Sequence, residues 1–269
     1  MLKFLFWNLH LKDLRSRIAT LVQRYGVDVA VLAGCAAPDA VLANLDAVSG
    51  SRFAGSFTLL DGLCVLSRRE YALHTLEEEP AARVSMRQLI LPSGVDLLLV
   101  AMHLPSKLYW SDASQAQNCP RLAESIRRQE RRLGHSRTLI LGDLNMNPFE
   151  PGVVSCHGFH ATHSRRVAER QSRTVQGIEY PFFYNPMWGH FGDALDGPAG
   201  TYYDSGSEPV AYFWHIFDQV LLRPSLLPSF NLEELRILDF DGLEPLTKHG
   251  IPDTAQGSDH LPIVFALDV

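Results

Sequence analysis

The run Gly257-Ser258-Asp259-His260-Leu261-Pro262 places an acid and an imidazole directly before a stretch, 261–267, that reads as a buried strand. Titratable side chains at a strand end point to chemistry more often than to core. Other segments repeat the arrangement. Asn8 follows Trp7 at the end of the apolar run 2–6, and His103 follows 96–102. Asp143 and Asn145 follow 138–141 in Gly142-Asp143-Leu144-Asn145, and Asp218 sits inside 213–222. Carboxylates, amides and histidines gathered this way suit metal-assisted hydrolysis of a phosphate ester. Mg²⁺ binds through one or two carboxylates, with water and substrate phosphate completing its shell. A carboxylate orients and activates water, while amide and imidazole donors stabilise charge on the phosphoryl oxygens.

The elements that must hold these groups are mostly strands. Segments 2–6 and 28–33 read as buried strands; between them Leu14, Ile18, Leu21 and Val22 recur at helical spacing until Gly26. A second helix is predicted over 40–48. Segments 53–60, 63–67, 71–77, 86–92 and 94–102 read as successive strands, with Asp61-Gly62 a tight hairpin signal. A polar, Arg-rich helix is predicted over 112–134, and strands over 137–141, 210–214, 217–222 and 262–267. Pro148 and Pro151 suit the start of a short helix. The Pro-, Gly- and aromatic-rich stretch 157–209 is too aromatic for a disordered linker and reads as a long ordered loop region beside a cleft. There is no internal repeat and no domain boundary. Many strands with few crossover helices predict a two-sheet sandwich flanked by helices.

Bulk composition sets limits. The 269 residues are 46% apolar and 20% charged, ordinary for a soluble globular chain. No apolar run reaches the ~18 residues of a membrane span. The N-terminus enters a strand pattern without the basic and apolar regions of a signal peptide. Cys35, Cys64, Cys119 and Cys156 form no C-x-x-C pair, which argues against structural zinc or a disulfide framework and fits a reducing cytoplasm. The net charge of −6 argues against nonspecific coating of nucleic acid, but leaves room for a locally basic cleft.

Trp7-Asn8, Met102-His103-Leu104, Gly142-Asp143-Leu144-Asn145, Phe217-Asp218-Gln219-Val220-Leu221 and Ser258-Asp259-His260-Leu261-Pro262 run in this order across nearly the whole chain. Together they resemble the endonuclease/exonuclease/phosphatase superfamily, which includes pancreatic-type deoxyribonucleases, abasic-site endonucleases, inositol-polyphosphate 5-phosphatases and sphingomyelinases. The resemblance implies one α/β (α+β) domain over 1–269, a four-layer α/β/β/α sandwich of two mixed sheets flanked by helices. It implies Mg²⁺ or Mn²⁺ as cofactor, with Asn8 and Asp259 helping to place the metal. It makes Asp143 the group that orients or deprotonates the attacking water, with Asn145 and His103 on the phosphate. Asp218 then pairs with His260, fixing its tautomer and favouring its charged form. One position departs. The family's D-x-x-x-L-Q-E pattern puts a Glu metal ligand where this chain has Gly34, in Asp28-Val29-Ala30-Val31-Leu32-Ala33-Gly34. The nearest downstream acid, Asp39, falls in the next helix. The chain is therefore expected to be impaired at Gly34, and the intact state of the other elements favours an introduced change over natural loss.

On this reading the chain is a cytoplasmic, Mg²⁺-dependent phosphodiesterase, foremost a nuclease cleaving nucleic-acid phosphodiester bonds. The alternative is a phosphatase or phosphodiesterase for a small phosphorylated molecule, a nucleotide or inositol phosphate, which the acidic charge favours slightly. A catalytically inactive binding module is the third reading, supported by Gly34 alone. Arg165, Arg166, Arg170 and Arg173 precede Tyr180 in the irregular stretch and are candidate phosphate contacts, with Trp188, Tyr202 and Tyr203 as stacking partners for bases; packing the long loop is the competing role. The run Arg127-Arg128-Gln129-Glu130-Arg131-Arg132 reads as a solvated helix face. His10, His215 and His249 match no family role and read as structural or surface.

Overall fold

In the computed structural model, which describes residues 1–49, 53–57, 62–79, 83–207 and 209–269, the run 97–102 is apolar at every position because both faces of its strand are covered. Leu97, Leu99 and Ala101 turn into a core shared with a second sheet; Leu98, Val100 and Met102 turn the other way, onto Leu122 and Ile126 of the helix Asp112–Leu133. The strand Thr138–Asp143 divides likewise, with Leu139 and Leu141 inward and Ile140 under the helix. That helix starts on Ser111, whose side chain accepts Ser114 N–H, and ends at Gly134, whose φ of +73° few other residues adopt.

The sheet holding these strands has the order Ala72–Glu79, Val84–Ile90, Asp96–His103, Thr138–Asp143, Asp218–Leu222, Phe183–Tyr184, Ala161–Thr162. The facing sheet runs Arg236–Ile237, Ile263–Leu267, Leu2–Asn8, Val29–Ala33, Cys64–Arg68, Phe53–Phe57. Both are mixed: Asp96–His103 pairs parallel with Thr138–Asp143, and Leu2–Asn8 parallel with Val29–Ala33, amid antiparallel neighbours. The helices Arg15–Tyr25 and Pro38–Ser49 cover the second sheet, burying Ile18, Leu21, Val22, Val41 and Leu45. Helices, sheet, sheet and helix give the four layers predicted from the resemblance.

The sequence expectations differ from the structure in places. The predicted strand 210–214 is reduced to Trp214–His215, which pairs with Tyr202–Tyr203. Val210, Tyr212 and Phe213 are exposed, and Phe213 has φ +61°, which breaks an extended run. The short helix begins at Pro151, not Pro148. Residues 58–60 and Asp61, part of the predicted strand and hairpin, lie outside the described residues. Within the 157–209 stretch the described residues form a hairpin, Ser172–Val175 with Ile178–Pro181, and a 3₁₀ turn, Pro186–His190. Among the described residues, no helix is long and apolar enough to cross a membrane.

Candidate active site

His103, Asp143 and Asp218 are neighbours across three strands. His103 pairs with Asp143 in the parallel register, and Asp143 with Asp218 in the antiparallel one. Each lies two positions from an inward-facing residue (Ala101, Leu141 and Val220), so the two-residue period aims all three between the sheets at their edge. From the facing sheet, Asn8 ends its strand and donates Nδ2 to Asp143 Oδ2 at 2.9 Å. His260 arrives on the loop before Ile263–Leu267. Its Nδ1 lies 2.8 Å from Asp218 Oδ2 and its Nε2 3.9 Å from Asp143 Oδ2. Trp7 fixes its backbone, donating indole Nε1 to His260 O at 2.9 Å. Ser258 Oγ accepts from His260 N at 3.2 Å and donates to Asn8 O at 2.6 Å. Strands from both ends of the chain therefore hold this imidazole.

Asp143, Asp218 and His260 are buried. Burial pushes Asp143 up and the Asp218 charge adds to it; His260, the Asn145 N–H at 2.8 Å and Asn8 pull it back, leaving it at about 6. For His260, burial disfavours the charged ring, but Asp218 at hydrogen-bond distance, Asp143 and Asp259 outweigh it and raise the ring to about 9. His260 is thus an imidazolium at neutral pH, with Nδ1–H on Asp218 and Nε2 3.9 Å from Asp143 Oδ2. His103 is the reverse case: burial, then the charges of Arg83 and His260, depress it to about 4, so it is neutral. Its Nε2 lies 4.0 Å from Asp143 Oδ2, and its buried Nδ1 has no hydrogen-bond partner among the described residues. Asn145 donates Nδ2 to Leu104 O at 2.8 Å and its N–H to Asp143, so it shapes the turn that orients the acid.

Asp143, Asp218 and His260 are the one group among the described residues whose ligand atoms, all within 4.8 Å of one another, could hold a metal ion. With His260 Nδ1 engaged by Asp218, the group has the make-up of an acid–base relay. The residues expected to place the metal are arranged otherwise. Asp259 Oδ2 lies 3.2 Å from His10 Nδ1, and Asn8 Oδ1 accepts from His10 N at 3.1 Å. Gly34 leaves its strand with φ +58°, and a Cβ there would sit 2.8 Å from Asn8 Oδ1 and 2.9 Å from His10 N. Asp39 is exposed in the first turn of Pro38–Ser49. The donors at Asn8, Gly34 and Asp259 do not fit Mg²⁺ or Mn²⁺ at that position.

The structure brings none of the candidate arginines to this cluster. Arg165 donates to Leu227 O at 2.6 Å and Phe230 O at 3.3 Å. It lines a cavity of about 1040 Å³ with Tyr184, which pairs with Leu222 at the opposite end of the strand that Asp218 begins. Arg170 and Arg173 line a separate recess beside the edge strand Ala161–Thr162, and Arg166 is exposed. In the Arg127–Arg132 run, Arg127 and Arg131 share Glu124 and Arg128 meets Glu77, as a solvated face requires. Trp188 does connect to the site, through rings. From His260 the centroids step to Tyr202 at 4.8 Å, Phe217 at 5.4 Å and His215 at 4.6 Å. They continue to Tyr212 at 6.1 Å, Phe149 at 5.6 Å and Trp188 at 6.2 Å. Sequence reasoning gave no role to His10, Arg83, Phe149 or Tyr212. Only Phe149 carried a usable signal, as an aromatic four residues past Asn145.

The same pair of sheets recurs in solved structures. The human Nocturnin catalytic domain with bound sulfate anion matches with a TM-score of 0.60 and 14% identity, over 98% of this chain and 93% of that one. An AP endonuclease from Archaeoglobus fulgidus matches at 0.59 and 15%, over 100% of both chains. D. rerio TDP2 complexed with a single-strand DNA product matches at 0.57 and 17%, over 100% of this chain and 99% of that one. No family model and no curated protein matches the sequence. With the two mixed sheets, the flanking helices and the strand-end cluster, these likenesses show that the chain has the fold of the endonuclease/exonuclease/phosphatase superfamily.

Proposed function

We propose that this protein hydrolyses phosphodiester bonds in single-stranded nucleic acid. The observation that carries the reading is the Asp143–His260–Asp218 cluster, a carboxylate near 6 beside an imidazolium near 9. Two groups with pKa values pushed apart suit a base and an acid in one reaction at neutral pH. Asp143 takes a proton from the attacking water as its oxygen bonds to phosphorus, and the P–O bond to the leaving oxygen breaks, that oxygen taking its proton from solvent. His260 Nε2–H and the neutral His103 ring meet the charge that grows on the phosphoryl oxygens, and Asp218 keeps His260 protonated. No step is assigned to Mg²⁺ or Mn²⁺, because the donors at Asn8, Gly34 and Asp259 do not fit one.

Ring contacts support the substrate class. The aromatic series that starts at His260 reaches solvent at Tyr212, 53% exposed, and Phe191 packs on Phe149 at its far end. Tyr109, 81% exposed, stands on the loop that follows His103. Unpaired bases stack on such rings without regard to sequence. The likeness to TDP2 complexed with single-strand DNA product agrees with this.

The test is an activity panel of single- and double-stranded DNA, RNA, mononucleotides and inositol phosphates, each in EDTA and with Mg²⁺ or Mn²⁺. The expected result is cleavage of single strands that disappears in Asp143→Ala. Turnover confined to mononucleotides or inositol phosphates would refute the substrate class. A second reading, a module that binds phosphate chains without cutting them, is favoured by Gly34; it requires oligonucleotide binding with no turnover in any of these conditions.

A further inference from the structure

The turn that follows Asn8 closes over the place that the family's carboxylate and cation would share. Leu9 N donates to Ala33 O at 2.8 Å and Leu11 N to Gly34 O at 2.8 Å, which zips the turn to the strand end carrying Gly34. Making the turn puts His10 at φ +50° and Leu11 at φ +60°, a region that non-glycine residues enter only under constraint. The turn is anchored on its other side as well. Lys12 Nζ donates to Thr254 O and, at 2.7 Å, to Gly257 O, just ahead of Asp259. Held from both sides, His10 sets its N–H on Asn8 Oδ1 and its Nδ1 beside Asp259 Oδ2. One residue thus engages both oxygens that would face a cation. A Cβ at Gly34 would collide with that same His10 N. The His10 side chain is itself 63% exposed, so the ring has a free edge toward solvent.

We infer that His10 stands where the family cation would, bridging Asp259 and a phosphoryl oxygen of the substrate, and that this protein engages phosphate there without a divalent ion. The ligand half of the inference rests on the phosphodiesterase reading; the metal half does not. In chemical terms a carboxylate–imidazole pair replaces a carboxylate–metal pair. Asp259 orients the ring through Nδ1, and the ring's exposed edge is left toward the phosphate. The arrangement explains why a glycine serves at position 34: the turn needs the space that a side chain would fill.

Calorimetry and NMR on the intact chain, stripped with EDTA, test both halves. Titration with Mn²⁺ and with Mg²⁺ is expected to show no binding that depends on Asp259. Titration with inorganic phosphate in EDTA is expected to move the His10 ring resonances. His10→Ala should weaken phosphate about tenfold, the loss of one hydrogen bond, with an unchanged melting temperature showing that the fold survives. Stoichiometric Mn²⁺ binding that vanishes in Asp259→Ala would overturn the inference. So would phosphate binding that ignores His10→Ala. If no phosphodiester is cut in any assay while both expected results hold, the hydrolase reading fails and the His10 assignment stands.

Discussion

Asp218 holds Nδ1 of His260 at 2.8 Å, while its cross-strand partner Asp143 stays 3.9 Å from Nε2 of the same ring. One imidazole is shared unequally by two buried carboxylates. The nearer acid fixes the charge on the ring, and the farther one is held by Asn8 Nδ2 and the Asn145 N–H.

The rate should therefore be bell-shaped in pH. Asp143 must be ionised to accept a proton, so kcat/KM should climb as pH rises through about 6. His260 must be protonated, so the rate should fall through about 9. In Asp218→Asn burial still opposes the charge and the neighbouring anion is gone; the alkaline limb should move to lower pH. Initial rates in overlapping buffers, with the His260 ring followed by NMR, measure both. An alkaline limb that stays in place in the variant would disconnect the pair from turnover.

Asp143→Ala and His260→Ala should each lower kcat by about 10²–10⁴-fold. The double variant should be little worse than either single one, because the two act as a unit. Unchanged circular dichroism would separate this from unfolding, and a single variant near wild-type rate would remove that residue from the mechanism.

Stability should also report the pair. Asp218→Ala leaves a buried ring without its counter-charge and should cost about 3–5 kcal/mol in urea unfolding. The His260 pKa is raised on folding from 6.5 to about 9. Its stabilising contribution is therefore complete below about 6.5 and is lost as pH climbs through about 9. The gap between wild type and variant should shrink across that window. A gap that widens there would show that the ring is neutral in the native state.

Substrate affinity should follow rings and not the arginine stretch. Tyr109→Ala and Tyr212→Ala should each weaken a single-stranded oligonucleotide by about 1–3 kcal/mol if a base stacks on the ring. Charge reversal at Arg166 and Arg170 should leave affinity and its salt slope unchanged, whereas each true phosphate contact would contribute about 0.7 to that slope. Fluorescence anisotropy at several salt concentrations reads both effects, and a flattened slope in the arginine variants would return the substrate to that face.

Gly34→Glu should lower the melting temperature without creating Mn²⁺ affinity. Its φ of +58° alone costs a side chain about 1–2 kcal/mol, before the contacts with Asn8 and His10. Thermal unfolding and calorimetry check this; tight, Glu-dependent Mn²⁺ binding would show that the turn gives way.

The strand ends were legible in the sequence because each joins an apolar run to a titratable residue. That Asp218 needs a partner came from the same signal, since an acid in an apolar strand demands one; that the partner is His260 came from the resemblance. His10 was not legible. Its partners are Asn8, two residues away, and Asp259, at the other end of the chain, and only a turn at positive φ brings them together. Arg165 was misleading for a related reason. Composition places an arginine near a cleft but does not reveal that the carbonyls of Leu227 and Phe230 need its donors. The 210–214 stretch looked like a strand because its aromatics suit one. In the fold Tyr212 packs against Phe149 and His215.

The first strand pairs on one side with Ile263–Leu267, so Leu2 meets Leu267. In a growing chain Leu2–Asn8 keeps one edge bare until Ile263–Leu267 has been made. Pairings across so long a separation form slowly. Until then Trp7 lacks the His260 carbonyl, Asp218 lacks its ring, and the acid–base cluster does not exist. The groups proposed to carry the chemistry therefore come together only once Ile263–Leu267 has paired with the first strand.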